Sequence, residues 1–382
     1  MCFHQIPFQK HGGDHIVLVG TVFEALLRVD NWCESRKHNW TCASLRLAVY
    51  EECSQRRAVE FAVVLKAVLP IYLLVGVGMA LRGFKVLTED MEKGLLKMVI
   101  HCLYPCLILD KTLGNDLVRQ SSVLAWGVGL GCGLVLIGML LSYLTGMILG
   151  LKPGTGRRTF CVSAGVQNYG YTAIPILLTL APVLGGDERV LGVMFVHSLG
   201  VEIAIWMVGV MVLTGSVFGN PKLLINGPIV AVILGVGLSS TEGWRFFDLE
   251  NGPIVGSVTR QTMGWLGACA FPMGLMLIGA TMYDFIGKER LSAKIGIGGL
   301  AVRLVVMPLV IMCAAKYLPL LHELKLVLLV QATMPAAVSP VFVARHYGGS
   351  PGVAVQVVMA TSIVGLFTIP LWISWGVRFI FP

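Results

Sequence analysis

Residues 163–175 read SAGVQNYGYTAIP and lie in the middle of an otherwise apolar run. Pro175 has no amide hydrogen for the carbonyl oxygen of Tyr171, four residues earlier, so a helix is expected to bend or open there. Asn168, Tyr171, Thr172 and Pro175 have i, i+3, i+4, i+7 spacing and would share one helix face. Backbone that is broken at membrane depth is tolerated only against protein or a water-filled cavity. The segment therefore predicts an interrupted membrane helix beside a cavity.

A second apolar run has the same kind of interruption. Residues 331–340 read QATMPAAVSP, in which Pro335 and Pro340 leave the carbonyl oxygens of Gln331 and Ala336 without their helical donors. If the two interrupted helices correspond, their breaks are expected to meet near the middle of the bilayer.

The composition of the whole chain points to a lipid environment. Of its 382 residues, 56% are hydrophobic and 13% are charged, against about 25% charged residues in ordinary soluble domains. Its hydrophobicity excludes a disordered chain, a collagen-like fibre and a small disulfide-stapled domain. The net charge of +8 is expected in the loops of a membrane protein and does not imply nucleic acid. The expected class is an all-α polytopic membrane protein, whose main partner is the lipid bilayer.

From Phe61 onward, charged and Gly/Pro-rich breaks divide the chain into ten apolar spans. Each span is long enough to cross about 30 Å of hydrocarbon. No segment between them is large enough for a soluble catalytic domain. The expected limits are 61–82, 94–113, 122–150, 159–183, 190–215, 222–240, 261–283, 294–318, 324–346 and 350–380.

Short internal matches predict a repeat. LVGVGM at 74–79 matches ILGVGL at 233–238, YPCLIL at 104–109 matches FPMGLM at 271–276, and Pro175 matches Pro340, with offsets of 159, 167 and 165 residues. The offsets predict two five-span halves, 59–215 and 216–382. Because five is odd, the second half enters the membrane in the opposite orientation, which is the inverted repeat of many secondary transporters.

Residues 1–58 do not resemble the rest of the chain. This leader is rich in charge, and its one apolar stretch, 15–29, is interrupted by Glu24 and Arg28. It has neither the length of a membrane span nor the order of a signal peptide. One hypothesis is a misassigned start, with translation beginning near Val59; the alternative is a polar tail that binds a partner.

The two interruptions form the candidate substrate site. Two half-helices that begin there would present positive dipole ends and free amides, which suit a carboxylate. Asn168, Gln331 and Ser339 would add hydrogen bonds, and Tyr169 and Tyr171 would gate or shape the site. The alternative is that Pro and Gly are simply frequent in membrane helices and that Asn and Gln hold helices together. The expected substrate-binding residues are Asn168, Tyr169, Tyr171, Thr172, Pro175, Gln331, Pro335, Ser339 and Pro340.

Two charged residues within the spans are candidates for coupling. Glu202 in span 5 is expected either to accept a coupling proton or to pair with Arg303 of span 8. Arg303 alone would neutralise an anionic substrate or extend to the membrane surface.

Other functional classes are not supported by the residues. The chain has no His-Glu-x-x-His zinc motif, nucleophile elbow or paired aspartates, so an enzyme is not expected and neither is a metal or another cofactor. A channel is the nearer rival because residues 168–171, NYGY, are similar to a carbonyl filter, but a filter needs four copies with short pore helices. The expected function is secondary transport of a small organic anion.

At the motif level the chain resembles the auxin efflux carrier family, which includes the plant PIN-FORMED proteins, and most closely its bacterial branch. The resemblance covers about Phe61 to Phe379. It rests on segments 65–83, 168–175, 199–206, 226–228, 303–308 and 334–349, the last being the most specific.

The resemblance implies ten helices in an inverted repeat, with helices 1, 2, 6 and 7 as a scaffold and helices 3–5 and 8–10 as a moving transport domain. It implies that broken helices 4 and 9 cross at the substrate site, and that substrates are small organic anions such as indole-3-acetate, malate or malonate. An elevator-type carrier of the inner membrane follows, with a homodimer through the scaffold as a further expectation.

Plant members carry an Asn-Pro pair at the crossing; here Asn168 is seven residues from Pro175 and Met334 precedes Pro335, so neither that geometry nor auxin as substrate transfers. The alternatives are an ion-coupled symporter of the related bile-acid-type fold and a channel.

Overall fold

The computed structural model describes residues 61–152, 154–216, 224–285 and 292–381, all within the unit Val59–Pro382. The predicted leader, 1–58, and the proposed start near Val59 lie outside these residues. Within the described residues the secondary structure is helical apart from one antiparallel bridge, between Gln167 and Ala336. The expected all-α architecture is confirmed.

The helices are numbered here by the predicted span that each one occupies. The suffixes a and b mark the two halves of an interrupted helix. In chain order they are α1 (Phe61–Gly83), α2 (89–112), α3 (Ser121–Ile148), α4a (Thr155–Gly165), α4b (Ala173–Val183), α5 (Val190–Thr214), α6 (Gly227–Ser240), α7 (Ile254–Phe285), α8 (Ala293–Tyr317), α9a (His322–Thr333), α9b (Ser339–His346) and α10 (Pro351–Ile380).

Six of the described helices are long and apolar enough to cross a membrane: α1, α3, α5, α7, α8 and α10. The others differ from uniform spans for identifiable reasons. Helix α2 begins with Glu89, Asp90 and Glu92 behind the N-cap Thr88, so its first turns are polar. Helix α6 has 14 residues, and spans 4 and 9 are each split in two. The chain is a polytopic helical membrane protein, and the count of ten crossings stays a prediction.

Three of the described helices contain a π-helical segment. These segments are Val99–Leu103 in α2, Ala204–Gly209 in α5 and Ala301–Val306 in α8. A π segment inside an α-helix rotates the following side chains and occurs often at functional sites. Glu202 lies just before the segment in α5, and Arg303 lies inside the segment in α8. Both candidate charges therefore occur where the helix is irregular.

The interrupted helices are packed among the others. Helix α9a contacts α5, α8, α10 and α4b, and α4a contacts α3 and α10. From Leu326 to Thr333 every residue of α9a is buried. A helix that is apolar all round needs protein or lipid around it. Here neighbouring helices bury it, so the end of α9a, and the break that follows, lie inside the molecule.

Candidate functional site

The first interruption lies just before Pro175. Helix α4a ends at Gly165 and α4b begins at Ala173, so Pro175 is the third residue of α4b. The first-turn amides of a helix have no partner within it, so proline is tolerated there. The amides of Ala173 and Ile174 donate to the carbonyl oxygen of Gly170 over 3.0 and 3.1 Å. The expectation that the helix opens at Pro175 is corrected: it opens over residues 166–172, and Pro175 helps to restart it.

The predicted shared helix face does not exist, because residues 166–172 are not helical. Asn168 and Thr172 are nevertheless brought together, since the Asn168 Nδ2 group donates to Thr172 Oγ1 over 2.8 Å. That bond closes the turn before α4b. Thr172 itself is buried.

The second interruption separates α9a, which ends at Thr333, from α9b, which begins at Ser339. Pro335 lies within this interruption, and Pro340 is the second residue of α9b. Both predicted breaks are therefore present, and in each the second half-helix carries a proline in its first turn.

The two interruptions are bonded to each other through their backbones. The amide of Asn168 donates to the carbonyl oxygen of Pro335 over 2.8 Å, and the amide of Ala337 donates to that of Val166 over 3.0 Å. The Gln331 Nε2 group adds a bond of 3.0 Å to the Tyr169 carbonyl oxygen. Buried backbone groups need partners, so each broken segment satisfies polar groups of the other.

A cavity of about 500 Å³ lies beside this junction. Its lining comes from α2, α6 and α7 and from the two interruptions, α5 and α9b. Five of the predicted residues line it: Asn168, Tyr169, Tyr171, Ser339 and Glu202. The others are not among the lining residues: Thr172, Pro175, Gln331, Pro335, Pro340 and Arg303.

A pair of tyrosine rings connects α2 to the first interruption at the cavity. The Tyr104 ring on α2 lies 5.4 Å from the Tyr171 ring, between centroids. A Cβ atom on Gly170 would lie 2.9 Å from the Tyr104 hydroxyl oxygen, and one on Gly274 of α7 would lie 2.4 Å from the Tyr171 ring. Both glycines are therefore needed for this close approach. Sequence reasoning placed Tyr104 and Gly274 within the repeat matches but did not identify them as site residues.

Glu202 is held by two donors. Its carboxylate accepts from the Tyr169 hydroxyl and from the Trp206 Nε1 group, each over 2.5 Å. Trp206 lies one turn further along α5, and the opened backbone of the first interruption brings Tyr169 to the other oxygen. Trp206 also lines the cavity and was not among the predicted residues.

The predicted pair between Glu202 and Arg303 is wrong. Arg303 is 0% exposed, and none of its three guanidinium nitrogens has a hydrogen-bond partner among the described residues. The alternative that its side chain extends to the membrane surface is also wrong, because the side chain is fully enclosed. Its helix segment packs against α3, α4a and α10, away from the lining of the cavity.

The second carboxylate at the cavity has a basic partner. Glu92 forms an ion pair with Arg82, which also donates from Nε to Asp284 over 2.9 Å. The Thr281 hydroxyl donates to Glu92 over 2.7 Å. This network joins α1, α2 and α7, and it leaves Glu202 as the cavity carboxylate without a basic partner among the described residues.

Several polar atoms at the junction have no partner among the described residues. They include the hydroxyl groups of Tyr104 and Ser339, which line the cavity, both amide atoms of Gln167, and the Gln331 Oε1 atom. Buried polar groups are normally hydrogen-bonded. The Tyr104 and Ser339 hydroxyl groups are buried in this structure and keep unused hydrogen-bonding capacity at the cavity wall.

Comparison with known proteins places the chain in a family. A family model described as "membrane transport protein" matches residues 63–220 and 216–373. No curated protein matches the chain significantly. Members of the family are transporters, which is compatible with the expectation of a non-enzyme. The chain belongs to the membrane transport protein family, the family of the auxin efflux carriers, and is a multi-pass membrane transporter.

Proposed function

We propose that the chain is a secondary transporter that carries small organic anions across the inner membrane by an elevator-like movement. The observation that carries the proposal is the junction of two interrupted helices at the wall of a cavity of about 500 Å³. Interrupted helices whose ends face each other are how many secondary transporters build a substrate site.

The arrangement of helices supports an inverted repeat of five and five. The fourth helix of each half, α4 or α9, is the one that is interrupted, and each restarts with a proline in its first turn. The cavity lies between α2, α6 and α7, which belong to the proposed scaffold, and α4, α5 and α9, which belong to the proposed transport domain. A cavity at such a boundary suits a carrier that moves one domain against the other.

The donors at the cavity support an anionic substrate. The N-termini of α4b and α9b begin beside it, and their dipoles favour negative charge. Pro175 and Pro340 remove an amide donor from each first turn, so side chains must supply more of the hydrogen bonds. Among the lining side chains, the Tyr104 and Ser339 hydroxyl groups have no partner among the described residues, and the Asn168 amide keeps one N–H group beside its bond to Thr172.

The lining favours a carboxylate with an apolar body. The volume falls within the range of about 300 to 1,000 Å³ that small-molecule sites have. Aromatic and aliphatic side chains dominate the lining, and no Lys or Arg is among the described lining residues. A second carboxylate on the substrate would find no counter-charge, so we expect monocarboxylates to be preferred over malate or malonate.

Counterflow in proteoliposomes tests the proposal. Vesicles containing the full chain and loaded with one unlabelled carboxylate are mixed with its labelled form, using indole-3-acetate, phenylacetate, malate and malonate in separate arms. We expect saturable, protein-dependent exchange of at least one anion, with monocarboxylates fastest. Unsaturable flux with single-channel currents would favour the channel, and a strict sodium requirement would favour the symporter of the bile-acid-type fold. No exchange of any anion would contradict the proposal.

A variant at the junction tests the site itself. Asn168→Ala keeps the backbone bond to Pro335 but removes the side-chain bond to Thr172 and a polar group from the cavity. We expect counterflow to fall at least tenfold while the amount of protein in the membrane is unchanged. Thr179→Ala is the control, because that exposed hydroxyl bonds only to its own helix. Wild-type exchange by Asn168→Ala would remove Asn168 from the site.

A further inference from the structure

If the substrate is an anion, the cavity contains a negative charge that opposes its binding. Glu202 lines it, and the two donors to its carboxylate, Tyr169 and Trp206, are both neutral. The other lining carboxylate, Glu92, has Arg82 as its counter-ion. An ionised Glu202 would therefore repel the substrate that the rest of the site attracts.

This repulsion is strong enough to decide whether the anion occupies the cavity. For two like charges about 6 Å apart at an effective dielectric constant of about 20, the loss of affinity is roughly a hundredfold. The half-helix dipoles act on the substrate as partial charges only. Neutralising Glu202 removes the repulsion, and the simplest neutralising partner for a carboxylate in a transport pathway is a proton.

The hydrogen bonds around Glu202 are compatible with both of its protonation states. The ionised carboxylate accepts from the Tyr169 hydroxyl and from Trp206. A protonated carboxyl group keeps one acceptor for Trp206 and has one O–H group that can donate into the cavity. A substrate carboxylate can accept a hydrogen bond from that O–H group. Binding of the proton therefore raises the affinity for the anion, and binding of the anion raises the affinity for the proton.

We propose that Glu202 binds a proton that is transported together with the organic anion, in the same direction. The inference rests on the proposed function, because it assumes an anionic substrate in this cavity. One proton binds the Glu202 carboxylate as the anion enters, and it leaves after the anion departs on the other side, so charge and protons balance in each cycle.

Other titratable groups face the same region and must be distinguished from Glu202. Tyr104 and Glu92 belong to α2, Tyr169 and Tyr171 to the first interruption, and His346 to α9b, followed by Tyr347. On neighbouring faces, α5 itself carries His197, which is fully buried, and α3 carries Cys132. His346 is the competing candidate, because it is exposed and lines the cavity.

The experiment measures anion accumulation driven by a pH gradient. Proteoliposomes with an alkaline interior are given the labelled carboxylate that exchanges best in counterflow, taken from indole-3-acetate, phenylacetate, malate and malonate, with protein-free vesicles as background. We expect the wild type to accumulate the anion above equilibrium. Its half-saturating concentration should rise with external pH, by up to about tenfold per pH unit where Glu202 is largely ionised.

Glu202→Gln imitates the protonated state and is the main variant. We expect it to lose accumulation driven by the pH gradient and to bind the anion with an affinity that depends little on pH, as calorimetric titration measures. Glu250→Gln makes the same chemical change at an exposed carboxylate outside the cavity lining and should keep the response to the gradient, as should His346→Gln. Retained pH-driven accumulation in Glu202→Gln overturns the inference, and its loss in His346→Gln alone would move the proton site to that residue.

A measurement on the wild type keeps the inference testable if Glu202→Gln does not fold. Calorimetric titration of the purified chain with the same carboxylate, in buffers of different ionisation enthalpy, gives the number of protons taken up per anion. A value near one supports the inference, and a value near zero overturns it. Absence of counterflow in the wild type would instead contradict the proposed function, so the two failures are distinguishable.

Discussion

At the scale of single residues, two buried arginines differ in whether they have a partner. Arg82 is 7% exposed and holds two carboxylates, those of Glu92 and Asp284. Arg303 is 0% exposed and has no hydrogen-bond partner among the described residues. A buried charge without a partner is unfavourable. Removal of a paired charge such as Arg82, by contrast, leaves its two partner carboxylates without a counter-ion. The two residues should therefore respond in opposite ways to the same substitution.

We expect Arg303→Met to unfold at an unchanged or higher temperature than the wild type, because an apolar side chain of similar length replaces an unpaired charge. Arg82→Met should lose about 3 to 5 kcal/mol of stability, as expected for a broken buried pair. Thermal unfolding of both variants in the same detergent, followed by tryptophan fluorescence, makes the comparison. A decrease for Arg303→Met as large as that for Arg82→Met would show that Arg303 has a bound partner.

At the scale of elements, the junction depends on a helix outside it. The amide of Ala336, in the second interruption, donates to Thr361 Oγ1 of α10 over 3.1 Å, and that hydroxyl donates in turn to the Val357 carbonyl oxygen. An interrupted helix leaves backbone amides that have no acceptor within the helix itself. Helix α10 therefore supports the open backbone of α9 through one side chain.

Thr361→Val keeps the shape of this side chain and removes its acceptor. We expect a loss of about 1 to 3 kcal/mol, the usual effect of leaving a buried amide without a partner, together with slower counterflow. The matched control is Thr145→Val on α3, whose hydroxyl donates only to the Leu141 carbonyl oxygen of its own helix. Equal unfolding temperatures for the two variants would show that the Ala336 amide finds another acceptor.

At the scale of the whole molecule, the tip of the first interruption is inserted between α2 and α7. The Tyr171 ring occupies the space that a side chain at Gly274 would need. In the proposed elevator movement, Tyr171 belongs to the moving part and Gly274 to the fixed part. This contact is therefore expected to exist in one state of the cycle and to break in another.

Gly274→Ala tests this contact between Tyr171 and α7. Its Cβ atom would come within 2.4 Å of the Tyr171 ring, and overpacking of this kind costs about 1 to 3 kcal/mol. We expect counterflow to slow by about tenfold or more, because the present state is destabilised relative to the others. Gly237→Ala on α6 is the control, since nothing lies within 4 Å of the added atom. Equal rates in the two variants would contradict a role for this contact.

The apolar runs and their breaks were sufficient to predict a polytopic helical protein and two interrupted helices. Span limits agree with the helices to within a few residues for spans such as 190–215, observed as Val190–Thr214. These features are local: long apolar runs need lipid or protein around them, and a proline cannot donate to the preceding turn. The exact opening was misplaced because a proline permits a helix start as readily as it ends one.

Contacts between distant segments were decided by packing. The wrong pair of Glu202 with Arg303 followed from matching opposite charges, whereas the opened backbone delivers Tyr169 to Glu202 instead. Tyr104 and Gly274 become site residues because α2 and α7 pack against the first interruption. Local sequence thus determines where a helix can form and, to within several residues, where it breaks, since those depend on neighbouring residues along the chain. Which broken ends meet, and which side chains surround the cavity between them, depends on contacts between residues more than a hundred positions apart, such as the bridge between Gln167 and Ala336.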